Sequence, residues 1–294
     1  MPPGRAIALT ALAMLAFASN SLLCRAALAR TGIDAASFTT VRIASGALTL
    51  WALVRLTQGG QAVAGSWRSA LALFAYAAGF SFAYLTLPAA TGALLLFGAV
   101  QATMIGRGLW AGERPGRLAL LGMLLAFGGL IGLLRPGLSA PPLLGSLLML
   151  GAGAAWGIYS LRGRSAGDPT RATAGNFLRA VPLAAVLSLA TLHQASLDPA
   201  GVAYAVASGA VASGIGYAIW YTALPMLKAV QAATVQLSVP VIAALGGIAL
   251  LGESFSLRLL WTSLAILGGI ALVIADRPRV EPTPLSPGER ERAR

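Results

Sequence analysis

Residues Ser69 to Trp110, SALALFAYAAGFSFAYLTLPAATGALLLFGAVQATMIGRGLW, form two apolar runs of membrane-span length, Ser69 to Leu87 and Ala89 to Trp110, parted by Pro88. A helix needs about 20 apolar residues to cross hydrocarbon, whereas a barrel strand needs only about ten in alternation, so runs of this length predict helices. Eight more runs follow the same pattern: Ile7 to Cys24, Ala35 to Leu53, Leu118 to Leu134, Leu143 to Leu161, Ala172 to Leu192, Val202 to Leu224, Ala229 to Leu251 and Leu257 to Ala275. Turn signals divide them, among them Gly59-Gly60, Pro115-Gly116, Pro141-Pro142, Asp168-Pro169 and Asp198-Pro199. The whole chain agrees. It has 294 residues, 57% apolar and 10% charged, against about a quarter charged in a soluble domain. The net charge of +12 is scattered singly between apolar runs, which speaks for membrane orientation and against nucleic-acid binding. One cysteine and one histidine, Cys24 and His193, provide neither an internal disulfide nor a metal site.

The joint at Pro88 has a counterpart. YLTLP at Tyr84 to Pro88 returns as YTALP at Tyr221 to Pro225, 137 residues on. Arg42 matches Arg179 at the same offset, Gly112-Glu113 matches Gly252-Glu253 at 140, Gly128-Gly129 matches Gly268-Gly269 at 140, and Phe17 pairs with Trp156 at 139. A nearly constant offset predicts a duplicated five-helix unit, and because five is odd the second copy enters the membrane inverted. The predicted fold is an all-α membrane protein of ten transmembrane helices in two inverted repeats, residues 1–137 and 138–276, with a disordered cytoplasmic tail at 277–294. With the amino terminus placed in the cytoplasm, fifteen Lys and Arg fall on that side and four on the other, so both termini read as cytoplasmic. Arg5 and Ala16-Phe17-Ala18 before Ser19 imitate a signal peptide, but the first run has a full partner in the second repeat and is expected to be retained.

These features resemble the drug/metabolite transporter superfamily, EamA type, over about residues 5 to 276. The resemblance is carried by FASN at Phe17 to Asn20, AWGIY at Ala155 to Tyr159, the second-helix arginine of each repeat, the LP joints, and GE followed by GG in each half. It is strongest toward bacterial exporters of aromatic and other neutral amino acids, and implies a multi-pass protein of the inner membrane. Phe17 departs from the tryptophan that the family often has there.

Polar and aromatic residues inside spans are the default site candidates. Tyr76, Phe80 and Tyr84 share a helix face at i, i+4, i+8; their repeat partners are Ser213, Tyr217 and Tyr221, with Gly79 opposite Gly216. Phe97 and Gln101, and the series Gln231, Thr234, Ser238, come from the fourth and ninth runs. These residues are expected to bind substrate, with Tyr84, Tyr221 and Pro240 as gate or hinge; Pro240 inside its run can kink the helix and free a carbonyl. Ser19, Asn20, Trp156 and Tyr159 are secondary candidates. Arg42, roughly 12 Å into its span, can snorkel, pair, or receive a carboxylate, and its match with Arg179 favours a structural role shared by both. Glu113 and Glu253 stand at span ends beside Arg114 and near Arg258, where interfacial pairing is expected.

No Asp or Glu lies in the middle of any run. A neutral or zwitterionic solute and no obligatory proton coupling are therefore expected of an alternating-access exporter of amino acids or related metabolites. A proton-coupled broad-specificity exporter is the alternative, ahead of a channel or an intramembrane enzyme, for which neither ion-selective rings nor a nucleophile with its base can be read. The expected partners are a small-molecule substrate and the lipid bilayer; no cofactor, metal or nucleic acid is expected, and the oligomeric state stays open, a monomer included.

Overall fold

A computed structural model describes residues 3–57, 59, 62–112, 115–137, 140–163, 167–227, 232, 235–254 and 256–276. They are helical throughout, with no strand among the described residues. In chain order the helices are α1 (Pro3–Arg30), α2 (Ala35–Thr57), α3 (Trp67–Tyr84), α4 (Ala89–Trp110), α5 (Arg117–Leu134), α6 (Leu143–Gly163), α7 (Pro169–Ala190) and α8 (Pro199–Val206). A π-helical segment (Ala207–Ile215) then runs directly into α9 (Gly216–Ala223), and α10 (Ser238–Leu251) and α11 (Leu257–Ala275) complete the bundle. The punctuation is now explained. Asp168 and Asp198 each cap a helix through their carboxylates, accepting from the amides of Arg171 and Gly201, while Pro169 and Pro199 occupy first-turn positions where a missing N–H costs nothing.

Among the described residues eight helices are long and apolar enough to cross a membrane, with Pro199–Met226 counted as one. The third and ninth runs are not among them. The helix α3 carries Arg68, Ser69, Tyr76, Ser81 and Tyr84, and trades hydropathy for interior polar groups; α10 contributes 14 described residues. The outside of the bundle is apolar, as hydrocarbon surroundings require: Leu120, Leu124, Phe127 and Ile131 stand exposed at helical spacing on α5. Its opposite face uses small residues. A side chain at Gly122 would strike the carbonyl of Gly269 on α11, and one at Gly269 would strike that of Gly122, so the two backbones touch. Elsewhere α6 packs on α3 and α4, α1 on α9, the π segment and α10, α2 on α7 and the π segment, α3 on α7, and α4 on α10.

Polar ties close the helix ends. At one end Gly252, with φ of 64°, turns the chain out of α10 so that Glu253 reaches the amide of Ala89 at 3.0 and 2.8 Å through its two oxygens. Arg25 meets the same carboxylate at 3.3 Å and donates to the carbonyls of Tyr84 and Leu85. Glu253 thus pairs with Arg25 and not with Arg258, which donates to the carbonyl of Arg135, because the glycine turn points it inward. Glu113, Arg114 and the tail 277–294 lie outside the described residues.

Asp34 ties the α1–α2 joint to the stretch before α8. Its carboxylate accepts from the amides of Ala36, Ser37 and Ser196, each at 2.9 Å. Burial alone would raise its pKa, but the bonds from the Ser37 side chain and from the Ser196, Ser37 and Ala36 amides outweigh burial and hold it below the ordinary aspartate value. A lowered carboxylate contributes stability above its unfolded value, about 3.9, and loses it as pH falls through the folded value. Asp34→Asn is expected to lower the thermal midpoint in detergent at pH 6. The gap from wild type should close below about pH 4, and an unchanged gap there would show that charge is not its source.

Candidate substrate cavity

Phe17 on α1, Tyr76 and Phe80 on α3, Phe97 on α4, Trp156 on α6 and Tyr217 on α9 surround an interior cavity of about 30 Å³, room for about one water molecule. Their rings form a chain. Centroids lie 5.7 Å apart for Phe17 and Tyr217, 5.3 Å for Tyr217 and Trp156, 4.8 Å for Trp156 and Tyr76, and 5.4 Å for Tyr76 and Phe80. Such pairs contribute about 0.5–1.5 kcal/mol each beyond the area they bury. Asn20, Ser21 and Gln236 add polar groups, and Leu96 and Ala212 close the wall.

Four of the predicted binding residues, Tyr76, Phe80, Phe97 and Tyr217, therefore meet at one cavity. The rest go elsewhere. Ser213 was placed with Tyr217 on the assumption of 3.6 residues per turn, but this stretch is π-helical, and the amide of Gly216 bonds the carbonyl of Val211, five residues back. Five-residue stacking aligns Ala212 with Tyr217 and carries Ser213 off the lining. The glycines Gly79 and Gly216 are packing positions, against Leu148 and Ala152 on α6 and against Ala16 on α1. Gln101 lines a separate apolar groove between α4, α5 and α11. Ser238 donates to the carbonyl of Val235 and borders another recess against α1. Pro240 stands in the first turn of α10, three residues past Leu237, where a turn interrupts the ninth run between helical Val235–Gln236 and Ser238; a proline cannot donate to the carbonyl four residues back, so a break at this place is what its ring requires. Gln231 and Thr234 lie outside the described residues. Tyr84 is fully buried under Gly92 at the α3–α4 joint, its hydroxyl donating to the carbonyl of Ala89. Ser19 bonds back to the carbonyl of Leu15. Gln236 also lines the cavity, and its only signal in the sequence is an amide inside an apolar run.

The largest departure concerns Arg42. It is 2% exposed and the bulkiest fully buried side chain of the described residues. Its guanidinium carbon lies 5.2 Å from the Tyr76 ring centre and 4.7 Å from that of Phe80, and Nη2 donates to the Tyr76 hydroxyl at 2.9 Å. Nη1 has no partner. Among the described residues no carboxylate lies within 4 Å of it, the ion pair there being Arg25 with Glu253. Arg179 behaves differently: half-buried, it donates to the carbonyls of Ala64 and Gly175 near the opposite end. The shared role expected for the two arginines does not hold. Cation–π attraction offsets part of the desolvation of Arg42, but an unpaired buried charge still costs several kcal/mol.

Around Arg42 a polar cluster is built from three elements. Asn20 donates to the Tyr76 hydroxyl at 3.1 Å, and Ser208 of the π segment donates to Asn20. The backbone at Gly209 presses on the Arg42 carbonyl so closely that no side chain fits between them. A second cluster, away from the cavity, serves packing. There Asn176 donates to the Tyr159 hydroxyl at 3.3 Å and accepts from the amide of Ser66 at 2.9 Å, and Thr173 links Tyr159 to Tyr221. Asn176→Ala leaves buried partners unmatched and should cost about 1–3 kcal/mol of stability; denaturation in detergent that matches wild type would refute a structural role for this cluster.

Residues 143–275 match the EamA-like transporter family. The chain is 62% identical over 278 residues to the uncharacterized protein PA1977 of Pseudomonas aeruginosa, covering 94% of this chain and 97% of that one. It is 32% identical over 184 residues to the threonine/homoserine exporter RhtA of Salmonella typhimurium, a match spanning 59% of this chain and 60% of the exporter. RhtA of Escherichia coli is 33% identical over 156 residues, half of each chain. A crystal structure superposes on 95% of this chain and 98% of its own with a TM-score of 0.67 at 20% identity, a likeness of fold. The chain belongs to the EamA-like transporter family of the drug/metabolite transporter superfamily.

Proposed function

We infer that this protein exports amino acids, aromatic and other neutral ones, or related metabolites across the bacterial inner membrane by alternating access. The observation that carries the reading is the cavity: both halves of the sequence line it, with Phe17, Tyr76, Phe80 and Phe97 from one and Trp156, Tyr217 and Gln236 from the other. At about 30 Å³ it is far smaller than an amino acid, so admission of a solute requires the walls to separate. Sites shared between two oppositely oriented halves open in this way when one half rocks against the other.

Two inverted five-helix repeats, ten spans and cytoplasmic termini belong to the same reading. The packing supports the two repeats, and the Lys/Arg asymmetry of the sequence supports the termini. Exchanging each run with the one five places later turns the contact of α6 with α3 into that of α1 with α9, and that of α6 with α4 into that of α1 with α10. The contacts of α2 with α7, α4 with α10 and α5 with α11 map onto themselves. The polar ties follow the same exchange, since Asp34 meets Ser196 at one end and Ala64 donates its amide to the carbonyl of Arg171 at the other.

Relatedness to threonine/homoserine exporters supports small amino acids as solutes, and the aromatic lining supports aromatic ones. In proteoliposomes a panel of labelled amino acids should include at least one whose flux saturates. For that solute Phe80→Ala and Tyr217→Ala should slow transport tenfold or more, equivalent to about 1.4 kcal/mol, with unchanged elution on gel filtration; ion currents in place of saturable flux would favour a channel.

Transport without obligatory proton coupling is also part of this reading. Coupling requires a group that exchanges a proton within reach of the site, and every described Asp and Glu sits at a helix end, with Glu253 already engaged by Arg25 and Ala89. A pH gradient imposed without a substrate gradient, at clamped potential, should drive no accumulation. Uphill uptake under those conditions would establish coupling and direct attention to Glu253.

A further inference from the structure

We propose that the Arg42–Tyr76–Asn20 cluster is a carboxylate-recognition site, in which the Tyr76 hydroxyl donates a hydrogen bond to a substrate carboxylate in the cavity and the Arg42 guanidinium behind it provides the counter-charge. The inference rests on the cavity as the transport site. It adds the chemical class of what binds: a solute with a carboxylate, its free group rather than an amide or ester.

The donor count is the first argument. The Tyr76 oxygen accepts from Arg42 Nη2 at 2.9 Å and from Asn20 Nδ2 at 3.1 Å, so its lone pairs are used and its proton is left to donate. Tyr76 lines the cavity, and no acceptor for that proton is found among the described residues. A phenol receiving hydrogen bonds from a cation on its far side is a polarised donor, and a polarised donor in a low-dielectric site selects an anionic acceptor.

Charge is the second argument. Arg42 carries a full positive charge at any physiological pH, is almost completely buried, and keeps one guanidinium nitrogen without a partner. A structural arginine in this setting recruits a carboxylate from its own chain, as Arg25 recruits Glu253. Arg42 has none within 4 Å among the described residues, although the protein holds it with two aromatic faces and a hydroxyl. The arrangement is therefore complete except for an anion. In a zwitterionic solute the carboxylate would lie toward Tyr76, and its ammonium would face the electron-rich rings of Trp156 and Tyr217.

Arg42 acts here through Tyr76 as a positioning residue, and the test separates that role from a structural one. The full-length protein in detergent is melted with each of the twenty L-amino acids and, in parallel, with the corresponding carboxamides. The expected result is that at least one acid raises the thermal midpoint and that its carboxamide needs at least a tenfold higher concentration for the same rise. Tyr76→Phe, which keeps the ring and its packing, should bring acid and amide to within about twofold; Arg42→Met should do the same, and Arg42→Lys should retain part of the preference. Without ligand Arg42→Met should melt at or above wild type, because it removes an uncompensated charge; a purely structural arginine would lower it. If Arg42→Met does not fold, the structural reading gains and Tyr76→Phe decides the carboxylate question.

Equal binding of acid and amide, an acid preference that survives Tyr76→Phe, or no stabilisation by any acid would each overturn the proposal. Failure of the transport reading looks different. Acid-selective stabilisation with no flux in proteoliposomes would leave the carboxylate site standing and remove the exporter, whereas saturable flux of a solute without a carboxylate would do the reverse.

Discussion

The guanidinium of Arg42 is buried without a carboxylate within 4 Å among the described residues, and in a bundle surrounded by hydrocarbon such a charge persists only where its neighbours are organised around it. The surrounding architecture follows from that demand. Tyr76 and Phe80 must stand one turn apart on α3 to present two ring faces, which places both in the cavity wall. The π segment must bring Ser208 and Gly209 against α1 and α2 at the same depth. Close approach at Gly79 then seats α3 on α6, and with it Trp156 against Tyr76. A single uncompensated charge thus links five elements of the bundle, and its desolvation is a stability cost of the kind that functional sites retain.

Charge compensation is arranged in the opposite way at the helix ends. Arg25 and Glu253 are paired, and the pair also satisfies the carbonyls that end α3 and the amide that begins α4. At the other end Arg179 and Arg171 spend their donors on backbone carbonyls of the stretch between α2 and α3. Charged groups near the helix ends therefore close joints between helices, while Arg42, buried within the bundle, closes none.

Much of this is legible in the sequence. Run length, proline joints and the constant repeat offset gave the helices and their order, and aromatic spacing on α3 pointed to Tyr76 and Phe80, because that helix follows ordinary α geometry. Reasoning by repeat symmetry then erred where the halves differ in three dimensions. Arg42 and Arg179 occupy matching positions, but one faces the bundle centre and the other reaches a loop, a distinction that depends on neighbouring helices rather than on the residue. Ser213 was misplaced for a different reason: helical pitch is not encoded in any short pattern of apolar residues, and nine residues of π-helix rotate everything they carry. Gln101 and Ser238 were polar residues in the right helices on the wrong faces, since a run that is apolar on nearly every side offers no periodicity from which a face can be chosen.

The π segment has a consequence for how this cavity should be compared with those of related proteins. At 3.6 residues per turn the neighbour of Tyr217 on the preceding turn would be a serine hydroxyl; in the wider π turn it is the methyl of Ala212. Backbone winding, with no change of side chain, thus sets whether that part of the wall is polar or greasy. Two relatives with the same letters in aligned columns can present different walls to a solute if one of them winds this stretch as an α-helix, and columns alone will not report the difference.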